Sequence, residues 1–75
     1  MCSTLAERIQ FAMSERGMSQ ADLARKTGMT TANIAYIVNG KTKDPRFQSI
    51  LLIAKALDVP LDYLAGNVTF GMIKP

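Results

Sequence analysis

Apolar residues recur at helical spacing in successive stretches of this chain, with capping residues and glycines between them. Leu5, Ile9, Ala12 and Met13 make the first stripe and predict a helix from Ser3 to Arg16. Ser3 or Thr4 can cap it, and Glu7 puts a negative charge near the positive end of its dipole. Arg16-Gly17 closes it, with Arg16 suited to the negative end. Phe11 falls off the stripe and is either a boundary aromatic or part of a contact surface. Met18 is expected to fill space beneath the segment that follows.

That segment, Gln20 to Val38, predicts two short helices joined by a tight turn. Ser19 with Asp22 three residues on is a capping-box pattern for the first, Gln20 to about Thr27. Gly28 then allows the backbone to reverse through positive φ, and Thr30 caps the second helix, which runs to about Val38, where Asn39-Gly40 stops it. Leu23, Ala24, Ile34 and Ile37 are expected to form the shared core. The small Ala24 suits two helices crossing closely at roughly 90–120°, the helix-turn-helix geometry.

The second helix of the pair has two unlike faces. Ile34, Ile37 and Val38 point one way; Ala32, Ala35 and Tyr36 point mostly the other, with Asn33 on the flank. The outward face carries no charge, which suits close entry into a DNA major groove better than a solvated surface. Lys41, Lys43 and Arg46 follow at once in a loop too rich in Gly, Asp and Pro to be helical. A basic loop there is placed to follow a phosphate backbone.

Phe47, Ile50, Leu51, Ile53, Ala54 and Leu57 predict a fourth helix with a broad apolar face, expected to be the most buried. Asp58-Val59-Pro60 ends it, and Pro60 can open a short fifth helix at its first turn. Leu61 and Leu64 are expected to close the core, while Tyr63 keeps a polar tip near solvent. Gly66-Asn67 ends the domain, taken as residues 1–67. Residues 68–75 alternate apolar and polar at first and suggest an extended arm, which can pack on its own domain, add to a partner or begin a linker.

Composition narrows the chemistry. A chain of 75 residues makes one domain of only just sufficient core, and 48% hydrophobic content argues for folding. No apolar run approaches the roughly 18 residues of a membrane span. MCSTLAERIQ lacks the basic and apolar regions of a signal peptide, and Cys2 is the one cysteine, so a reducing cytoplasmic setting is expected. The net charge of +3 suits an acidic partner. With no histidine, Ser-His-Asp, Cys-His and His-metal sites are excluded, and no Gly-rich phosphate loop is present. No catalytic residue, metal site or cofactor is expected.

The segments SQADLARKTGMTTANIAYIVNGKTKDPRF and AKALDVPLDYLAGN resemble the DNA-binding domain of lambda-like phage repressors and Cro proteins, within the XRE-type helix-turn-helix family. The resemblance runs from about Thr4 to Asn67. It implies an all-α fold, a five-helix lambda repressor-like domain with the helix-turn-helix at helices 2 and 3. It further implies base reading by Thr30, Thr31, Ala32, Asn33 and Tyr36 and backbone contacts from Gln20, Asn39, Lys41, Lys43 and Arg46, with Arg46 near the minor groove at the operator centre. Leu61, Tyr63 and Leu64 match positions near the subunit contact. Close relatives often place glutamines on the reading helix; this chain has none there, so a different operator is expected.

The expected function is that of a DNA-binding transcriptional regulator, a phage or prophage repressor acting as a homodimer on double-stranded operator DNA in the bacterial cytoplasm. It could be Cro-like or the front of a longer repressor. An antitoxin-type autorepressor that also holds a toxin, or an interaction module of the same fold without DNA binding, stand as alternatives. No membrane or small-molecule partner is expected.

Overall fold

The computed structural model describes residues 4–41, 45–68 and 71, and its helices fall where caps and turn residues allow. They are α1 (Leu5–Arg16), α2 (Gln20–Thr27), α3 (Thr31–Val38), α4 (Phe47–Leu57) and α5 (Leu61–Ala65). Among the described residues there is no strand, and the architecture is all-α. α2 packs on α3 and α4, α1 touches α3, α4 and α5, and α4 touches α5.

The helix starts follow local chemistry. Thr4, not Ser3, caps α1: its hydroxyl accepts from the Glu7 N–H at 3.1 Å, and the Glu7 carboxylate accepts from the Thr4 N–H at 3.2 Å. A cap at Ser3 would put Ala6 where the box needs an acid, so the helix starts later than Ser3. Ser19 and Asp22 make the same reciprocal pair at α2, both bonds at 3.1 Å. Pro60 stands at the N-cap of α5, with φ −73° and ψ 155°, one position before the first-turn site expected for it.

Ile9, Leu23, Ile34, Ile53 and Leu57 are fully buried and draw α1 to α4 onto one core. Burying such a side chain is worth roughly 1.5–3 kcal/mol. That packing, rather than helix propensity, must hold α2 and α3, because each has 8 residues and isolated helices below about 12–15 are marginal. Met18 packs against this core as expected, with Leu5, Ile50, Leu61 and Val68.

Three expectations change. Phe47 is not part of the buried face of α4; it is 70% exposed. Burial rises along α4 from exposed Phe47 through half-buried Ile50 and Leu51 to buried Ile53, Ala54 and Leu57, so its first turn overhangs the core. Tyr63 keeps no tip in solvent: it is 3% exposed, and its hydroxyl donates to the Arg8 carbonyl at 2.6 Å. Arg16 does not serve only its own helix. Its guanidinium donates to the Leu57 and Asp58 carbonyls, both at 3.0 Å, across the fold at the end of α4. Phe11 lies off the α1 stripe, 42% exposed. Of the tail, Val68 packs on the core, whereas Phe70 and Met72 lie outside the described residues.

Candidate nucleic-acid interface

The α2–α3 turn fixes how α3 is presented. Thr27 is buried, and its hydroxyl donates to the Leu23 carbonyl at 2.8 Å and lies 3.2 Å from the Ala24 carbonyl. The same oxygen accepts from the Met29 N–H at 3.2 Å, so one side chain ties the end of α2 to the turn. Gly28 takes φ +75°, a left-handed conformation, and its N–H bonds to the Ala24 carbonyl at 2.9 Å. Thr30 then caps α3 by accepting from the Asn33 N–H at 3.1 Å. Sequence reasoning found the glycine and both caps but missed Thr27.

Ile34, Ile37 and Val38 anchor α3 in the core. Thr30, Thr31, Ala32, Asn33 and Tyr36 are exposed together along its other side, with Ala35 half-buried between. Tyr36 is 54% exposed, a large ring standing out from a face of small and polar side chains. At the far end the Gly40 N–H bonds to the Ile37 carbonyl at 3.2 Å and the Lys41 N–H to the Tyr36 carbonyl at 3.0 Å, a Schellman turn that delivers Lys41 directly after the helix.

Tyr36 forms a wall of two hollows. One, of about 280 Å³, is lined by Ala32, Ala35, Tyr36, Asn39 and Lys41. The other, of about 370 Å³, lies between α3 and the start of α4, lined by Met29, Asn33, Tyr36, Ile37, Pro45, Arg46 and Ser49. α3 itself carries no charged residue, while Lys41 and Arg46 stand at its flanks. Neither cation has an acidic partner among the described residues. Asp22 by contrast is spoken for, paired with Arg25. Hydrogen bonds from Ser19, backbone first, hold its carboxyl below the usual range, and Arg25 adds to the effect.

The expected interface residues thus divide. Thr30, Thr31, Ala32, Asn33, Tyr36, Asn39, Lys41 and Arg46 lie on α3 and its two flanks. Gln20 stands half-buried at the first position of α2. Lys43 lies outside the described residues. Tyr63 and Leu64 are buried in the chain's own core, and Leu61 is half-buried against it. Met29, Pro45 and Ser49 were not foreseen; the signal for Ser49 was its position three residues after Arg46, on the same side of the first turn of α4.

Residues 5–64 match the helix-turn-helix family HTH_3, and the chain belongs to it. It is 37% identical over 72 residues to an HTH-type transcriptional regulator for conjugative element SXT of Vibrio cholerae, covering 92% of this chain and 33% of that protein. The regulator for conjugative element pMERPH of Shewanella putrefaciens gives the same figures, 37% over 72 residues, 92% and 33%. An uncharacterized HTH-type transcriptional regulator of Bacillus subtilis, YozG, is 36% identical over 70 residues, 88% of this chain and 82% of its own length. The chain therefore spans about a third (33%) of the conjugative-element regulators it matches.

Proposed function

We propose that this chain is a sequence-specific, double-stranded DNA-binding transcriptional regulator that acts as a homodimer on an inverted-repeat operator, of the kind found in phage and prophage repressors. One observation carries the reading: the exposed face of α3 is charge-free, and Lys41 and Arg46, which have no acidic partner among the described residues, flank it. Uncharged side chains suit contact with base edges in the major groove, while cations beside them suit phosphates. The names of the conjugative-element relatives favour a regulator carried on a mobile element. A reaction is no part of the proposal.

One reading helix of 8 residues spans only a few base pairs, so two copies must act together for useful specificity. Two-fold symmetry then requires half-sites about one helical turn apart. Leu61 is the member of the expected contact trio with surface to offer, and buried Tyr63 and Leu64 hold α5 in place behind it. Selection from a random double-stranded DNA pool tests the whole reading. The expected result is an inverted repeat whose binding weakens steeply with salt. No enrichment, or 1:1 binding to an isolated half-site, would contradict it.

A further inference from the structure

α3 lacks the side chains that read guanine and cytosine most directly. Arg or Lys pairs with the O6 and N7 edge of guanine, and Asp or Glu accepts from the amino group of cytosine. The helix, TANIAYIV, carries none of the four. What it offers beside Tyr36 is apolar. Ala32 comes three residues before Ala35 and four before Tyr36, so the three are neighbours on one side of the helix. Together they line the hollow of about 280 Å³, with Asn39 and Lys41 completing it after the helix end. Ala32 and Ala35 contribute a methyl group each, and Tyr36 contributes an aromatic ring.

One feature of the base edges in the major groove is apolar, the 5-methyl group of thymine. A duplex docked on the exposed face of α3 brings base edges to this hollow. We propose that Ala32, Ala35 and Tyr36 select a thymine in each operator half-site by packing around its 5-methyl group. This assignment rests on the DNA-binding reading above and names the base that the site reads. It also adds the half-buried Ala35 to the specificity-determining residues. The discrimination needs no hydrogen bond and no charge, in keeping with a helix that supplies no charged side chain.

The test measures binding of the purified chain to operators selected from an unmodified DNA pool. Deoxyuridine replaces each half-site thymine in turn, which removes the methyl group and keeps the base pair. At one position the parent should lose affinity about fourfold, the scale of one buried methylene. Tyr36→Phe keeps the ring and should retain this thymine-to-uracil ratio, whereas Tyr36→Ala should bring it close to one. Each ratio is measured within one variant, so a general loss of stability does not imitate the effect. Cytosine at the same position should bind more weakly than thymine, and 5-methylcytosine should recover part of that loss. A selected half-site without thymine, equal affinity for thymine and uracil at every position, or the same ratio in parent and Tyr36→Ala would overturn the methyl contact alone. Loss of the ratio in Tyr36→Phe would overturn it too, by assigning the reading to the hydroxyl. A 5-methylcytosine operator that binds more tightly than the thymine one would overturn thymine as the occupant. A parent chain that binds no DNA would overturn the functional reading as well.

Discussion

The Gln10 side chain on α1 donates from Nε2 to the Val38 carbonyl at the last residue of α3. The two are 28 residues apart. Arg16 reaches the end of α4 in the same way, and Arg8 Nη1 reaches the Leu64 carbonyl of α5 at 3.3 Å. Polar side chains of α1 therefore supply donors to the closing carbonyls of three other helices, groups that no helix can satisfy internally. α1 thereby braces the C-terminal end of α3.

Gln10→Leu, which keeps most of the volume and removes the donor, should cost about 1 kcal/mol in urea unfolding. Hydrogen exchange should quicken first at the amides that close α3, Asn39 to Lys41. Unchanged protection there would show that the bond does not hold the helix end.

The turn between α2 and α3 gives a second contrast. Thr27→Val keeps the shape and removes a hydroxyl with three backbone partners, leaving the Met29 N–H without its acceptor. A loss of about 1–3 kcal/mol is expected, and Thr27→Ser should recover much of it. Gly28→Val acts by another route. A Cβ there meets nothing within 4 Å, so the cost comes from forcing φ +75° on a β-branched residue and not from a clash. Thermal melts of the three variants should rank Thr27→Ser above both others. A stable Gly28→Val would contradict the left-handed turn.

Asp22 sets an acid limit. Its carboxyl titrates below the reference value of 3.8 in the folded chain because the Ser19 N–H and hydroxyl, then Arg25, favour the charged form. A lowered folded pKa means stability present above the unfolded value and lost as pH falls through the folded one. The loss therefore begins near 3.8 and completes below it. Asp22→Asn should be less stable than the parent at pH 7 and show a flatter acid limb in a pH series of melts. An unchanged acid limb would remove Asp22 from the cap.

Much of this fold was legible because its punctuation is local. Ser19 with Asp22, Gly28, Thr30 and Asn39-Gly40 fix α2 and α3 within a few residues of chain, and the bounds found match those expected. Helical periodicity showed which side of α4 is apolar, but not how far its neighbours extend beneath it, so Phe47 was misplaced. The donors Gln10, Arg16 and Tyr63 were illegible for a related reason. Their acceptors are backbone carbonyls 28 to 55 residues away, and carbonyls leave no trace in a sequence. The exposed side of α3 could be drawn on a helical wheel. The hollow beside it required knowing where α4 begins in space.

Arg46 stands at the N-cap of α4 without an ionic partner among the described residues. In a symmetric dimer two copies would lie over the central minor groove, where narrow A·T-rich DNA attracts arginine. Replacing central A·T pairs by G·C, with both half-sites intact, should weaken parent binding, and Arg46→Ala should reduce that sensitivity. Equal affinity for both operators would exclude this indirect readout.

The most direct measurement compares operator selection by the parent with selection by Tyr36→Ala and Lys41→Ala. Tyr36 stands on the exposed face of α3, and Lys41 follows the helix as a flanking cation. Tyr36→Ala should change the preferred base at a defined half-site position, with a direct contact worth about 1–3 kcal/mol, and leave the salt slope unaltered. Lys41→Ala should keep the consensus, weaken all sites alike and lower the slope by about one. The same consensus from parent and Tyr36→Ala would contradict the assignment of α3 as the base-reading helix through this residue.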